Sequence, residues 1–250
     1  MGLWPFGKRE NEEQPSPASF EHAGPAEAAV DSPLAEDEVD TQDQPYEGRL
    51  GADGPFDAQE HEFEDFDFSD FSQAALNLGS MVIALPKEAQ VQVEMGETGP
   101  RMLHILSEYG RFTPVAFAAP ASGGQWRKLA KETTESMRND GLLVTTEQGP
   151  FGREIIGRLD AEQSNIVRVI GADGPRWMLR VTVAAPEASA EQAAELAREM
   201  MARTFVNRGD APILAGESLP VALPAPLAAQ VQQELQRRQQ QATEQGQASE

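Results

Sequence analysis

Hydrophobic and polar residues alternate in short runs along the middle of the chain, and this period of two indicates β-strands. Gly-Pro pairs separate several of the runs. Such pairs favour tight turns, whereas parallel strands would need long crossovers. We therefore expect a mainly antiparallel sheet. The predicted strands are Ser80–Leu85, Gln90–Met95, Arg101–Ser107, Phe112–Ala118, Leu142–Glu147, Arg153–Leu159, Ile166–Ile170 and Arg176–Val183.

Two segments carry hydrophobic residues at the spacing of an amphipathic helix. The first follows Ser122, a natural N-cap, and ends at Gly141, where glycine suits a left-handed cap. The second follows Ser189, which can form a capping box with Gln192. The order ββββ-α-ββββ-α predicts an α+β fold in which two helices pack on the sheet. The expected buried faces are Trp126, Leu129, Ala130, Thr133 and Met137 on the first helix, and Ala193, Leu196, Ala197, Met200, Met201 and Phe205 on the second.

Acidic residues are concentrated at the start of the chain. Of 250 residues with a formal net charge of −21, residues 1–74 hold 20 Asp and Glu against 3 Lys and Arg. The first 45 residues are also poor in branched aliphatic side chains, so they cannot bury enough apolar surface to form a core. We expect a disordered acidic tail (1–48), an acidic-aromatic lead-in segment (49–74), one globular α+β domain (75–222) and a Gln-rich tail (223–250) that is partly helical or disordered.

The residue types needed for common catalytic and metal sites are missing or scattered. The chain has no cysteine, and its three histidines, His22, His61 and His104, lack a second ligand at helical spacing. No nucleophile elbow, P-loop or dinucleotide-binding motif is present. We therefore predict no catalytic residue, no metal and no cofactor, and favour a protein that is not an enzyme. No apolar run approaches the ~20 residues of a membrane helix, which favours a cytoplasmic location.

Two groups of residues are candidates for binding a ligand or a partner. Arginines of the later strands, with the acidic and aromatic residues of the turn beside them, could form a pocket for an acidic group. The serine and glycines before the first helix offer backbone amides to a phosphate, although an ordinary N-cap is the preferred interpretation. The candidates are Arg153, Arg168, Asp173, Arg176, Trp177, Arg180, Ser122, Gly123 and Gly124.

The lead-in segment contains HEFEDFDFSDF, in which Phe63, Phe66, Phe68 and Phe71 stand among acidic residues. Segments of this kind bind partner grooves through their rings while the charges steer them towards cations. We expect it to dock a basic partner or to fold back over the arginine-bearing surface of its own domain. The alternative of equal weight is that the phenylalanines complete the core of the domain.

The five residues GADGP occur twice, at Gly51–Pro55 and at Gly171–Pro175. The second copy lies between two β-prone runs, so it predicts the turn of a hairpin. On this hairpin, Trp177, Leu179, Val181 and Val183 should share one face. The first copy lacks strand-like flanks. We interpret the two copies as one turn chemistry in two settings.

An ordered series of motifs resembles a family known as domain of unknown function 3710. The resemblance covers about residues 50–222 and implies a cytoplasmic protein from an actinobacterium, without implying an activity. The motifs are Gly54–Asp57, LNLGS at Leu76–Ser80, FAAPASGGQW at Phe117–Trp126, GPFG at Gly149–Gly152, GADGPRWMLR at Gly171–Arg180 and Val206–Gly209.

Three functions stay open at this point. The leading hypothesis is a non-enzymatic cytoplasmic module that binds another protein, with the acidic arm as a tether or recognition segment. The first alternative is an enzyme or sensor for a small anionic ligand, such as a nucleotide or a phosphorylated metabolite. The second is a nucleic-acid-associated protein that its acidic arm autoinhibits, although a slightly acidic domain makes nucleic acid a less favoured partner.

Overall fold

The structure is a computed structural model that describes residues 54–96, 99–159, 165–229, 231–233 and 237. The described residues lie in one compact unit and contain two sheets, two long α-helices and a further helical segment at 225–229. The elements in chain order are β1 (Phe56–Asp57), β2 (Ser72–Asn77), β3 (Met81–Pro86), β4 (Gln90–Gly96), β5 (Gly99–Leu106), β6 (Arg111–Ala118), α1 (Gln125–Asn139), β7 (Leu142–Gly149), β8 (Gly152–Leu159), β9 (Asn165–Gly174), β10 (Trp177–Pro186), α2 (Ala190–Ala202) and β11 (Thr204–Val206).

The larger sheet has seven strands in the order β4-β5-β6-β10-β9-β8-β7, and every neighbouring pair is antiparallel. The α+β class and the antiparallel arrangement predicted from the sequence are confirmed. The hairpin of β9 and β10 lies at the centre of this sheet. Its turn is Pro175 and Arg176, one step later than predicted, so Gly171 to Gly174 of the second GADGP copy end β9 and only Pro175 is in the turn. In that register, Trp177 lies opposite Gly174.

A second sheet has the order β1-β11-β3-β2 and was not predicted. β3 was expected to belong to the large sheet but pairs instead with β2 and β11. β1 and β11 have two and three residues, too few for a periodic pattern, and the six residues of β2, SQAALN, do not alternate between hydrophobic and polar. The lead-in segment supplies β1 and the start of β2, and β1 runs parallel to β11 with Phe56 opposite Phe205.

Pro114 explains why β6 changes its neighbour halfway along. A proline has no N–H to donate to a ladder, and β6 pairs with β5 only at Phe112 and Arg111. Beyond this point the strand bonds instead to the segment after α2, where Leu219 N–H donates to the Ala116 carbonyl at 2.8 Å. The proline-punctuated stretch after Gly209 thus lies along the core as an extended strap, as predicted.

The two helices pack on opposite faces of the large sheet. α1 contacts β7, β8 and β9, whereas α2 contacts β9, β10 and β3. Trp177, Leu179, Val181 and Val183 are buried in the core on the α2 side, so the predicted face of the hairpin is confirmed. Alternate residues of β10 face the α1 side. On that side Met178 is buried with α1, whereas Arg180 and Thr182 are half-buried.

The capping box predicted for α2 is wrong, although Ser189 is its N-cap residue. The Ser189 hydroxyl makes no bond to the helix start and donates to the carbonyl of Tyr109 at 2.9 Å. α2 also ends at Ala202, so Phe205 is a strand residue and not part of the helical stripe. Tertiary contacts have overridden a local signal in both cases.

Candidate functional site

The arginines predicted to share a pocket lie on different sides of the large sheet. Arg168, on β9, is buried on the α2 side, where its Nη1 lies 2.6 Å from Glu154 Oε2. Arg180, on β10, lies opposite Gly171 in the strand register and faces the α1 side. Arg176 is exposed in the β9–β10 turn with a φ of 59°. The structure therefore does not bring these three residues together.

Trp126 of α1 separates a further pair, Arg153 and Arg180. Arg153 is on β8 and Arg180 on β10, the two neighbours of the strand that carries Gly171. A Cβ atom on Gly171 would overlap the Trp126 indole, so the ring rests directly on this backbone. The indole Nε1 also donates to the Arg153 carbonyl at 2.9 Å. The packing of the tryptophan thus divides this face of the sheet.

The start of α1, predicted as a possible phosphate site, holds a carboxylate of the protein itself. The helix is preceded by Gly123 and Gly124, which both have positive φ, and Gly124 is the N-cap residue instead of the predicted Ser122. Asp173 accepts a hydrogen bond from the Trp126 backbone N–H, with Oδ1 at 2.9 Å. Its carboxyl end is turned towards α1, and desolvation raises its pKa above the ordinary value despite the bonds from backbone amides. An external anion would have to displace Asp173.

The phenylalanines of the lead-in segment pack on their own domain. They surround Phe205 of β11 and form an aromatic cluster between the segment and the second sheet. The guanidinium of Arg203 lies 4.7 Å from the centre of the Phe71 ring and 5.9 Å from that of Phe68. The geometry thus matches the alternative in which the rings complete the core. The rings of this cluster are Phe56, Phe63, Phe66, Phe68 and Phe205.

A cleft of about 590 Å³ lies between Pro55, the last residue of the first GADGP copy, and the end of the second copy. Pro55 of the first copy and Asp173 to Pro175 of the second are on its walls. Asp57 links the two sides, because its Oδ2 accepts a hydrogen bond from Trp177 Nε1 at 3.1 Å. Both Asp57 and Trp177 are buried. The shared motif is therefore used where two distant parts of the chain join, and Trp177 has a packing role there.

The half of the sheet that α1 leaves uncovered presents a distinct surface, which we call the β6–β10 face. α1 packs over β7, β8 and β9, while the β6 and β10 side chains on the same side stay half-buried. Cross-strand pairs set their spacing, with Val115 opposite Arg180 and Thr113 opposite Thr182. The face consists of Thr113, Val115, Phe117, Arg180, Thr182 and Ala184, with the exposed Arg111 opposite Ala184 at its end.

Arg180 is the charged centre of the β6–β10 face. Its guanidinium carbon lies 4.9 Å from the centre of the Phe117 ring, a cation–π contact. In the part of the chain that the structure describes, no acidic side chain pairs with Arg180, and its Nε has no hydrogen-bond partner. Burial lowers the pKa of this guanidinium. An arginine nevertheless stays charged in proteins, so this is a cation held without an anion.

His104 lies beside the β6–β10 face, on β5. Its Nδ1 lies 2.8 Å from the Thr113 hydroxyl, and its Nε2 lies 3.6 Å from Glu94. Burial, with a smaller contribution from the charge of Arg111, lowers the pKa of His104 despite the nearby glutamate. His104 is thus a histidine of a strand face, bonded to a neighbouring strand.

Sequence reasoning singled out Arg180 but missed Phe117 and Val115 beside it. The alternation in β6 places Val115 and Phe117 on one face, and that signal is visible in the sequence. What it does not reveal is that β6 lies next to β10, because more than fifty residues separate the two strands. Only a strand order can place these residues beside the arginine.

Among the described residues, no helix is long and apolar enough to cross a membrane. A comparison with curated proteins finds no match. A crystal structure from Bacteroides thetaiotaomicron VPI-5482 is similar over 64% of this chain and 57% of its own, with 15% identity and a TM-score of 0.40. This chain thus spans little more than half the length of that protein. A likeness of this size carries no argument.

One family model matches residues 54–230 of the chain, a range that begins just before β1 and includes every strand and both helices. The match covers well over half of the 250 residues. The chain therefore belongs to the family described as protein of unknown function (DUF3710).

Proposed function

We propose that this protein is an interaction module that binds an acidic segment of a partner protein on the β6–β10 face. The observation that carries the proposal is Arg180, a half-buried cation that no acidic group of the described chain neutralises. A charge removed from water without a counter-ion is costly, and an incoming carboxylate would offset that cost.

The surroundings of Arg180 suit a protein partner. The face is spread over two adjacent strands and combines the Phe117 ring and Val115 with the hydroxyls of Thr113 and Thr182. Interfaces between proteins combine an apolar or aromatic centre with hydrogen-bonding groups in this way. β10 is paired on both sides, so its side chains start from a rigid backbone.

Arg168 provides a contrast within the same hairpin. Arg168 forms an ion pair with Glu154, whose Oε2 lies 2.6 Å from its Nη1. Arg198 of α2 binds the same Glu154 carboxylate. Arg208, which is also buried, has its guanidinium bonded to the carbonyls of Ala211 and Ile213. Arg180 lacks such a partner, and this difference supports recognition over stability as its role.

The experiment is site-specific photo-crosslinking of the full chain in cells that naturally make it. A photo-reactive residue replaces Thr182, and a matched control carries it at Leu143, which is 62% exposed and lies on the edge strand β7. We expect one discrete protein adduct from position 182, attached through an acidic segment of the partner, and none from position 143. Absence of a discrete adduct at position 182, or equal adducts at both positions, would contradict the proposal.

The alternative of a small anionic ligand also points to Arg180, since Asp173 occupies the start of α1. A thermal-shift screen of the full chain against nucleotides and phosphorylated metabolites separates the two functions. Stabilisation that depends on Arg180 at millimolar ligand would favour the small ligand. No thermal shift with any of these ligands, together with a protein adduct in the crosslinking experiment, would favour the interaction module.

A further inference from the structure

We infer that Arg180 is the specificity-determining residue of the β6–β10 face and that it binds one aspartate or glutamate carboxylate of the partner, with Phe117 as its positioning residue. This inference rests on the proposed function. It narrows that function to one group of the protein, the Arg180 guanidinium, and to one kind of ligand group, a carboxylate. It names the carboxylate instead of a phosphate, because Arg180 is the only half-buried cation among the described residues of β6 and β10. The other cation of this face, the exposed Arg111, lies opposite Ala184, four residues along the strand from Arg180.

The contact with Phe117 fixes where the guanidinium can bind. The ring lies 4.9 Å from the guanidinium carbon and therefore occupies one side of the planar group. A carboxylate is bound by arginine in the plane of the fork, through two parallel hydrogen bonds. Arg180 Nε is buried without a partner, so we infer that a carboxylate would bind the two Nη atoms at the end of the fork. The ring contact removes part of the rotational freedom of the side chain. Phe117 thus prepares the arginine for in-plane binding without contacting the carboxylate itself.

The strand register places hydroxyl groups at the next position along this face. Thr182 follows Arg180 by two residues on β10, and its cross-strand partner is Thr113. Thr113 is already engaged by His104 at 2.8 Å, which leaves Thr182 as the nearer hydroxyl for a partner backbone. A partner segment that lies along β10 would therefore meet an apolar ring, a cation and a hydroxyl in order.

The cost of the unpaired cation makes the inference testable through stability. If Arg180 were structural, its removal would destabilise the fold. If it is kept for a partner, Arg180→Met keeps most of the side-chain volume, removes the uncompensated charge, and leaves Tm unchanged or higher. Arg180→Lys keeps the charge and loses the planar fork, so it separates charge from geometry.

The decisive experiment repeats the crosslinking from position 182 in full chains carrying Arg180→Met, Arg180→Lys or Phe117→Leu. We expect the adduct yield to fall at least tenfold with Met, to fall less with Lys and with Leu, and to stay unchanged in the control variant Arg176→Met, whose arginine is exposed in the neighbouring turn. An unchanged adduct in Arg180→Met would overturn the inference and leave the proposed function standing. If the chain with Arg180 and Phe117 intact also gives no adduct from position 182, the proposed function itself is contradicted.

Two further readouts use defined probes. Titration of the full chain with N-acetyl-glutamate should shift the Arg180 Nε–H resonance in a ¹⁵N spectrum at millimolar concentrations, and N-acetyl-glutamine should not. Inorganic phosphate that shifts this resonance at tenfold lower concentration than the carboxylate would overturn the assignment of a carboxylate. A Tm several degrees below wild type in Arg180→Met would show that the arginine is structural and would overturn it as well.

Discussion

At the scale of single residues, Asp173 shows how one carboxylate can join two distant parts of the fold. It lies near the end of β9, opposite Met178, yet it accepts the backbone N–H of Trp126 at the start of α1. The helix has no side-chain cap of its own. The hairpin turn was predictable from its Asp-Gly-Pro sequence. Its capping role was not, because 47 residues separate donor from acceptor.

Substitution of Asp173 tests this cap. Asp173→Ala should lower the free energy of unfolding by about 1 kcal/mol, a typical cost for losing an N-cap. Asp173→Asn should retain most of the stability, because an amide oxygen also accepts from a helix start. Chemical denaturation of both variants and the wild type at neutral pH measures the difference. Equal losses in the two variants would show that charge, and not the hydrogen bond, stabilises the start of α1.

The raised pKa of Asp173 gives this comparison a pH dependence. The contribution of such a carboxyl group to the free energy of unfolding is fully present below the pKa of an aspartate in the unfolded chain, ~3.9. This contribution is lost as the pH rises through the higher pKa of the folded state. The wild type should therefore gain stability relative to Asp173→Asn on acidification from neutral pH to about pH 4. Urea titrations at each pH measure the free energy of unfolding of both proteins. A difference between them that stays constant across this pH range would contradict a raised pKa of Asp173.

His104 should show the opposite dependence. Because its pKa is lowered in the folded protein, its contribution to stability is present above the unfolded value of ~6.5 and is lost as pH falls through the folded pKa. The variant His104→Gln cannot be protonated, so its Tm should fall less than that of the wild type between about pH 7 and pH 5. Parallel Tm profiles for the two proteins would argue against a neutral buried histidine.

At the scale of elements, a buried ion-pair network connects α2 to the large sheet. Glu154 of β8 is 1% exposed and lies between Arg168 of β9, at 2.6 Å, and Arg198 of α2, at 2.8 Å. The exposed acids Glu147 and Glu191 complete the network at its rim. Burial of one carboxylate between two arginines is stabilising only while all three members are present.

Removal of the central charge should therefore be costly. Glu154→Gln leaves two arginines with a neutral partner and should lower the free energy of unfolding by about 3 kcal/mol. The matched control is Glu147→Gln, whose side chain is 53% exposed and whose loss should change stability by no more than about 0.5 kcal/mol. Guanidinium unfolding curves measure both. Similar small effects from the two substitutions would show that the network contributes little.

The elements themselves were largely predictable where their pattern is long. Each predicted strand and helix has a counterpart, because runs of six or more alternating residues carry a clear period. β1 and β11 have two and three residues and no period, and they exist only because they pair with each other across the whole domain. The second sheet was missed for that reason, and so was the position of the Phe205 ring.

For the candidate site, the sequence identified residue types and not their arrangement. With the alternation along each strand, some arginines of the later strands could have shared a face. Arg168 and Arg180 are on adjacent strands but on opposite faces, since Arg168 lies opposite Val183 and Arg180 lies opposite Gly171. A register shift of one residue would have reversed this result.

At the scale of the whole molecule, the aromatic cluster makes the lead-in segment part of the folded body. Phe56 and Phe68 are buried against Phe205, and β1 forms one edge of the second sheet. The acidic side chains between them remain largely exposed. The segment thus has an apolar side that packs and an acidic side that faces water.

Two shortened proteins test this assignment. A variant lacking residues 1–74 loses β1 and both buried phenylalanines, each of which contributes about 2 kcal/mol of burial. A variant lacking residues 1–48 keeps them. The Tm of the shorter protein should be lower than that of the longer by about 10 °C, measured by calorimetry. Coincident melting curves would place the segment outside the cooperative fold.

The pairing of β1 with β11 also determines when the protein can finish folding on the ribosome. Phe56 must wait for Phe205, about 150 residues later, which takes roughly 7 to 30 s at ~5–20 residues per second. During that interval the phenylalanines of the lead-in segment lack Phe205, the ring that their cluster surrounds. The acidic residues that separate them are Glu62, Glu64, Asp65, Asp67 and Asp70, and charges placed in this way limit aggregation of an exposed aromatic segment. We therefore expect the alternation of acid and ring to protect the chain during synthesis, before the rings complete its core.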